Sequence, residues 1–172
     1  GSLSGEADFD AVRAGASPDY STIGLDAGLH YGLGRGGELS LRLEGQYTDD
    51  LLVPGEQFGI GGAYSVRGLD ERQFTADRGL LGSIQWLSPN LFPGARVSNT
   101  RLAAFVDGAT GRTLQPTGFE RGSIDIASVG AGLRFGHGRN LSLQLDYGYL
   151  IDPDPDLDLQ SGRWHGGFSW FF

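Results

Sequence analysis

The sequence predicts an all-β protein, an antiparallel transmembrane β-barrel of about eight strands. Apolar and polar residues alternate with period two over long stretches, which is typical of strands with two different faces. Glycine accounts for 30 of 172 residues, well above its usual share of about 7%, and it favours turns over helices. No apolar run approaches the roughly 18 residues of a transmembrane helix. Membrane strands are shorter and alternate, so their period reveals them although their mean hydropathy does not.

The alternation begins after a lead-in segment, residues 1–19, which shows no period. Gly1 and Ser2 are expected to be a remnant of cloning, because the chain contains no Met. A signal peptide and upstream domains are expected to be absent from this chain. Residues 20–172 are expected to form the barrel, with strands at 21–31, 38–47, 58–62, 79–88, 101–108, 127–135, 141–149 and 166–172.

A soluble antiparallel sandwich would also show alternating strands, with its apolar face inward. Two observations favour the membrane barrel. Most of the predicted strands have nine or more residues, whereas strands in globular proteins usually have about 5–6. Aromatic residues such as Tyr31, Trp86 and Tyr147 fall near strand ends, as in the aromatic girdles of membrane barrels. We therefore expect the apolar face to meet lipid and the polar face to line a lumen.

Composition excludes several kinds of partner and site. The net charge is -8, which argues against nucleic acid as a partner. Cysteine is absent, so a disulfide framework or a thiolate metal site is impossible. We expect neither a metal nor a cofactor.

The polar face carries the candidates for chemistry. Asp26 and His30 share this face, but residues four apart on a strand are separated by about 13 Å, too far for an acid–base pair. His30 would approach His165 only if the first and last strands paired. Polar filling of a lumen is therefore preferred over an enzyme active site, and a hydrolase is the lowest-ranked hypothesis. The predicted lumenal residues are Asp26, His30, Arg42, Glu44, Gln85, Arg134 and Asp146.

Two motifs make the prediction more specific. The run GG-x-x-SVRG covers residues 61–68, and F-x-D-G covers 105–108. Together with the order of the later strands and the terminal FSWFF, they resemble the C-terminal half of the barrel in TpsB transporters of the ShlB/FhaC type. These are the outer-membrane pores of two-partner secretion in the Omp85 superfamily, and the resemblance covers roughly residues 20–172.

The resemblance implies a sixteen-stranded parent barrel preceded by periplasmic POTRA domains. It implies export of an unfolded, TpsA-like exoprotein across the bacterial outer membrane without nucleotide or cofactor. It also implies that residues 64–77 form a loop folded into the lumen, with Val66, Arg67, Gly68 and Leu69 as its VRG-type tip.

In that family the loop arginine meets an acidic residue of the inner wall. Carried onto this chain, Arg67 would meet Asp107, with Phe105 and Gly108 on the same wall segment. Alternation independently places Asp107 on the lumenal side. Leu69 departs from the aromatic that usually follows VRG. Gln85 stands where a lumenal Glu is common, which would remove a second acidic partner.

The last strand alternates Phe168, Trp170 and Phe172. This ending resembles the C-terminal signal by which the barrel-assembly machinery recognises outer-membrane barrels. The same residues suit a strand that faces lipid or detergent, and the two interpretations are compatible.

Width limits what this chain would do alone. Eight strands enclose an interior that side chains fill, so we expect a small barrel plugged by residues 58–77, without full transport activity. The alternative is a self-contained eight-stranded outer-membrane barrel that acts as an adhesin or structural anchor.

Overall fold

A computed structural model describes residues 5–94, 98–116, 118, 120–151 and 159–171. Within them, no helix is long and apolar enough to span a membrane. One short helix, α1, covers Glu6–Val12, and a 3-10 turn covers Gly34–Gly36. The strands are β1 Ile23–Gly32, β2 Glu38–Tyr47, β3 Phe58–Ile60, β4 Phe74–Ala76, β5 Arg78–Leu87, β6 Ser98–Arg112, β7 Ser123–His137, β8 Leu141–Ile151 and β9 Gly162–Trp170.

The main sheet has seven antiparallel strands in the order β1-β2-β5-β6-β7-β8-β9. The predicted antiparallel β fold is confirmed, but the sheet has one strand fewer than expected. The segment predicted as a strand at 58–62 pairs with residues 74–76 in a separate two-stranded sheet. Phe58 and Ile60 are both buried, so this segment packs on the main sheet instead of extending it, and β2 pairs directly with β5.

The sheet is open. Among the described residues, β1 and β9 are its two edges and do not pair with each other. The expectation that this chain closes as a small barrel on its own is therefore wrong. The reason is the strand count, because seven wall strands are one short of the eight found in the smallest outer-membrane barrels.

Strand direction assigns the connections to two rims. Residues 33–37, 88–97 and 138–140 connect strands at one rim, and residues 48–77, 113–122 and 152–161 connect them at the other, which includes the longest connection, 48–77. The N-terminal segment lies at this second rim, which we call the loop rim, because Arg13 donates hydrogen bonds to the carbonyls of Leu52 and Leu114.

The two faces of the sheet differ as the alternation predicts. Register places Ser83 opposite Asp107, and Asp107 opposite Ser128, so these polar residues share one face, the inner face. The outer face leaves large apolar side chains exposed, including Ile23, Leu25, Leu29, Leu80, Ile84, Leu102, Val106, Val129 and Phe168. Such an exposed apolar band fits a lipid-facing surface.

The apolar core lies between the inner face and the segment 58–76. Its buried residues are Phe58, Ile60, Val66, Leu69, Leu81, Ala109, Ile124, Ile126 and Leu150. Gly79 permits this packing, since a Cβ there would lie 2.0 Å from the ring of Phe58. The core therefore holds the segment against the wall.

Candidate functional site

Residues 58–76 form a hairpin that packs on the inner face of the sheet. Its two arms pair from Phe58↔Ala76 to Ile60↔Phe74. Gly61 and Gly62 follow the first arm with φ of 112° and 110°, backbone angles that side chains other than glycine rarely adopt. The chain then turns through a hydrogen bond from Leu69 N–H to the Val66 carbonyl of 3.1 Å. This geometry presents the VRG-type tip, Val66–Leu69, to the wall.

Arg67 at the tip forms an ion pair with Asp107 on β6. Its Nε and Nη2 donate to Oδ2 and Oδ1 of Asp107 over 2.9 and 2.8 Å, and its backbone N–H donates to Oδ2 over 3.2 Å. Ser83 Oγ donates to Asp107 Oδ1 over 2.7 Å. Arg67 is 5% exposed and Asp107 is fully buried. Two parallel charge-assisted hydrogen bonds fix the orientation of the guanidinium as well as its position.

Phe105, two residues before Asp107, supplies a second contact. The Cζ atom of Arg67 lies 3.3 Å from the centroid of the Phe105 ring, and the ring is almost completely buried. A cation over an aromatic face is attracted by the ring quadrupole, more strongly where water is excluded. Phe105 and Asp107 therefore hold the same guanidinium through its face and its edge.

A second ion pair lies beside the first. Arg134 on β7 donates to Asp146 on β8 over 2.6 and 2.9 Å, and Asp146 is fully buried. Gln85 Oε1 accepts hydrogen bonds from Arg67 Nη1 over 2.7 Å and from Arg134 Nη2 over 3.1 Å. The neutral Gln85 thus bridges two guanidinium groups, while Asp146, 3.9 Å from Arg67 Nη1, supplies the second carboxylate.

The backbone of the tip is held as well. His165 Nε2 lies 3.0 Å from the carbonyl oxygen of Arg67, and a carbonyl only accepts, so this ring nitrogen carries the proton. Gly148 on β8 allows the close approach, because a Cβ there would lie 2.2 Å from the same oxygen. Val66 and Leu69 on either side are buried in the core, so apolar anchors flank the charged one.

The remaining predicted lumenal residues do not join this cluster. Asp26, His30, Arg42 and Glu44 lie on the inner face of β1 and β2, where Arg42 pairs with Glu44 and donates to the Tyr64 carbonyl over 2.6 Å. His30 lies 2.9 Å from Ser40 Oγ. They line or adjoin a cavity of about 380 Å³ between these strands and the hairpin tip.

Two further predictions need comment. Gly108 was expected on the inner wall, but strand alternation places it on the outer face, one residue beyond Asp107. At the C-terminus, Phe168 and Trp170 lie on the outer face and are 66% and 67% exposed. Phe172 lies outside the described residues.

Sequence reasoning missed the groups that complete the site. Ser83, Ser128 and the Arg134–Asp146 contact follow from strand register, which the sequence alone did not supply. Asp77 and Arg13 form another buried ion pair, at the loop rim, for which no motif gave a signal.

Comparison with known proteins agrees with this geometry. Residues 4–135 match the family model of the haemolysin secretion/activation protein ShlB/FhaC/HecB. CdiB from Escherichia coli is similar in structure, with a TM-score of 0.73 and 20% identity over 90% of this chain and 28% of the CdiB chain. CdiB from Acinetobacter baumannii has a TM-score of 0.61 and 23% identity over 86% of this chain and 26% of its own.

This chain therefore spans little more than a quarter of the length of either CdiB structure. No match was found among curated protein sequences. At these identities the structural matches show the fold, whereas the family model covers most of the chain. The chain belongs to the ShlB/FhaC/HecB family of haemolysin secretion/activation proteins, the TpsB transporters of the Omp85 superfamily.

Proposed function

We propose that this chain forms part of the wall, and the inner plug, of an outer-membrane pore that exports an unfolded exoprotein in two-partner secretion. The observation that carries the proposal is the Arg67–Asp107 ion pair, which attaches an inward-folded hairpin to the wall through two buried charges. A TpsA-like exoprotein would be the transported partner, and transport would need neither nucleotide nor cofactor.

Energetics supports a hairpin with a defined resting position. Removing one partner of a buried ion pair destabilises a protein by about 3–5 kcal/mol, because the other charge remains buried without compensation. Asp107 accepts from the backbone and side chain of Arg67 and from Ser83. In a pore such a hairpin restricts the passage at rest, and its contacts must change when a polypeptide passes.

The outer face supports placement in the outer membrane. Its exposed leucine, isoleucine and aromatic side chains would contact lipid, or detergent after extraction. We further propose that the last strand, with Phe168 and Trp170, is recognised by the barrel-assembly machinery. The two free edges of the sheet would pair with other strands of a wider, sixteen-stranded barrel, since seven strands are too few to close.

The open inner surface beside the hairpin is the best candidate for the transport path. Asp26, His30, Arg42 and Glu44 are accessible there and carry both signs of charge. A wall that carries charged groups of both signs suits the passage of an unfolded chain, because it offers solvated hydrogen-bonding groups to the polar backbone of that chain.

Export by the transporter that carries this chain tests the proposal. Arg67→Ala and Asp107→Ala should each reduce the exoprotein released to the medium, and the exchange Arg67→Asp with Asp107→Arg should restore part of it. Arg35→Ala, in the turn at the opposite rim, is the matched control and should leave export unchanged. Unchanged export in both single variants, with equal amounts of protein in the outer membrane, would overturn the proposal.

A further inference from the structure

A second buried ion pair lies at the loop rim, away from the tip of the hairpin. Arg13 follows directly after α1, and its Nη1 and Nη2 lie 2.5 and 3.0 Å from Oδ1 and Oδ2 of Asp77. Arg13 is 5% exposed and Asp77 is fully buried. Asp77 is the residue between β4 and β5, where the hairpin rejoins the wall.

The guanidinium of Arg13 also connects two other segments of this rim. Its Nη1 donates to the Leu52 carbonyl and its Nη2 to the Leu114 carbonyl, both over 2.7 Å. Its Nε lies 3.4 Å from the carboxylate of Glu120, within ion-pair distance but without hydrogen-bond geometry. Arg13 thus contacts both the connection that precedes β5 and the connection that follows β6.

Asp77 reaches the same segments from the other side. It accepts hydrogen bonds from the backbone N–H groups of Leu52 over 3.0 Å and Leu114 over 2.7 Å. Gln57 Nε2 donates to Asp77 over 3.3 Å, and Thr75 Oγ1 donates to Gln57 Oε1 over 2.7 Å. Gln57 precedes the first arm of the hairpin and Thr75 lies on the second, so Asp77 is tied to both arms at their base.

The rim pair and the tip pair are separate attachments. Among the described residues, the hydrogen-bond partners of Arg13 and Asp77 do not include any partner of Arg67 or Asp107. The tip pair holds the turn of the hairpin against β6, and the rim pair holds its base. Neither pair relies on a hydrogen-bond partner of the other.

We propose that Arg13 is a positioning residue: with Asp77 it forms a rim clamp that holds the base of the hairpin independently of the Arg67–Asp107 pair. This deepens the proposed function, on which its meaning for transport rests, because the hairpin is the part assigned to the pore. It also gives the segment around α1 a role, because this segment contributes no strand to the sheet and its Arg13 holds the base of the hairpin in place.

Cysteine labelling can test the two attachments separately, because the chain contains no native cysteine. Ala76→Cys places a thiol beside Asp77 at a position that is 1% exposed, and Ser128→Cys places one beside Asp107 at a fully buried position. Each reporter is combined with Arg13→Gln or with Arg67→Gln in the full chain. The rate of modification by a water-soluble maleimide is then measured in detergent micelles.

The clamp predicts that Arg13→Gln raises the labelling rate at position 76 at least tenfold and leaves the rate at 128 within twofold. Arg67→Gln should show the reverse pattern. Arg112→Gln, an exposed arginine at the same rim, is the matched control and should change neither rate. Arg13→Lys should not restore the slow rate at 76, because an ammonium cannot reproduce the planar fork of donors.

An unchanged rate at position 76 in Arg13→Gln would overturn the clamp, and equal acceleration at both positions would overturn its independence. If Arg13→Gln does not fold, the double variant Arg13→Gln with Asp77→Asn removes both buried charges and is judged by the same two rates. Labelling does not depend on export. If the labelling pattern is as predicted but Arg67→Ala and Asp107→Ala leave export unchanged, the transport proposal is rejected and the clamp is kept.

Discussion

Arg67 meets Asp107 through two parallel guanidinium–carboxylate hydrogen bonds of 2.9 and 2.8 Å, and both side chains are almost completely buried. The residues are 40 positions apart in the chain, so the contact belongs to the tertiary structure. It is also the point at which the tip of the hairpin is attached to a strand of the wall.

The first prediction concerns the coupling of this pair. Arg67→Ala and Asp107→Ala should each lower the free energy of unfolding in detergent by about 3–5 kcal/mol, since each leaves a buried charge without its partner. The double variant should be less destabilised than the sum of the two single variants. Chemical denaturation followed by tryptophan fluorescence measures all four proteins, and strict additivity would contradict coupling.

The second prediction concerns Gln85. Gln85→Leu removes the oxygen that accepts from both Arg67 and Arg134, so it should destabilise the protein by about 1–3 kcal/mol. Gln85→Glu keeps an acceptor at this position and serves as the matched control. It should retain more stability than Gln85→Leu in the same denaturation experiment; the opposite order would mean that the bridge is unimportant.

The third prediction tests the close approach of backbone at Gly148. A Cβ at this position would lie 2.2 Å from the carbonyl oxygen of Arg67, so Gly148→Ala should push the tip from the wall. We expect a lower melting temperature and faster proteolysis of the hairpin. Gly82→Ala is the control, because a Cβ there has no neighbour within 4 Å among the described residues. Equal behaviour of the two variants would contradict the packing described above.

The fourth prediction concerns the pH dependence of the rim clamp, which lies outside the strands that span the membrane. Burial by itself would raise the pKa of Asp77, but hydrogen bonds from Arg13, Leu114, Leu52 and Gln57 outweigh it and hold the pKa below its ordinary value. The unfolded chain then binds more protons than the folded one in this range, so the stabilisation is complete above the ordinary carboxyl pKa of about 3.9. It is lost as the pH falls through the lowered value.

Melting temperatures between pH 7 and pH 2 test this sign. Asp77→Asn should be less stable than the parent protein at neutral pH, and the difference should shrink as the pH falls below about 4. Asp19→Asn, an exposed aspartate of the same N-terminal segment, should follow the parent curve. A difference that stays constant across the range would show that the charge of Asp77 does not stabilise the fold.

Much of the wall could be predicted because strand alternation is local. Asp107 and Val106 face opposite ways simply because successive side chains of a strand point to opposite faces. The same rule predicts Gln85, Arg134 and Asp146 on the polar face, and the strand register aligns them with the face that carries Asp107. The rule also shows why Gly108 was assigned wrongly: it was grouped with Asp107 by motif, although adjacent residues face opposite ways.

The short segment Phe58–Ile60 shows the limit of such reasoning. Its length and apolar character suit a strand, and it is a strand, but a period says nothing about which sheet a strand joins. Packing decided this, because both Phe58 and Ile60 are buried on the inner face. The strand count of the main sheet follows from that one difference.

The sequence by itself determined the class of fold and the two faces of each wall strand. The pairing of Arg67 with Asp107 was implied by the resemblance to the family, and the tertiary structure brings the two residues together. Only the tertiary structure decided that the sheet stays open, that Gln85 bridges Arg67 and Arg134, and that Arg13 reaches Asp77. The physical reason is one of range. Alternation is a property of consecutive residues. Register and buried ion pairs depend instead on how connections of different length fold back. Arg13 and Asp77 are 64 positions apart, and no local pattern indicates that they will meet.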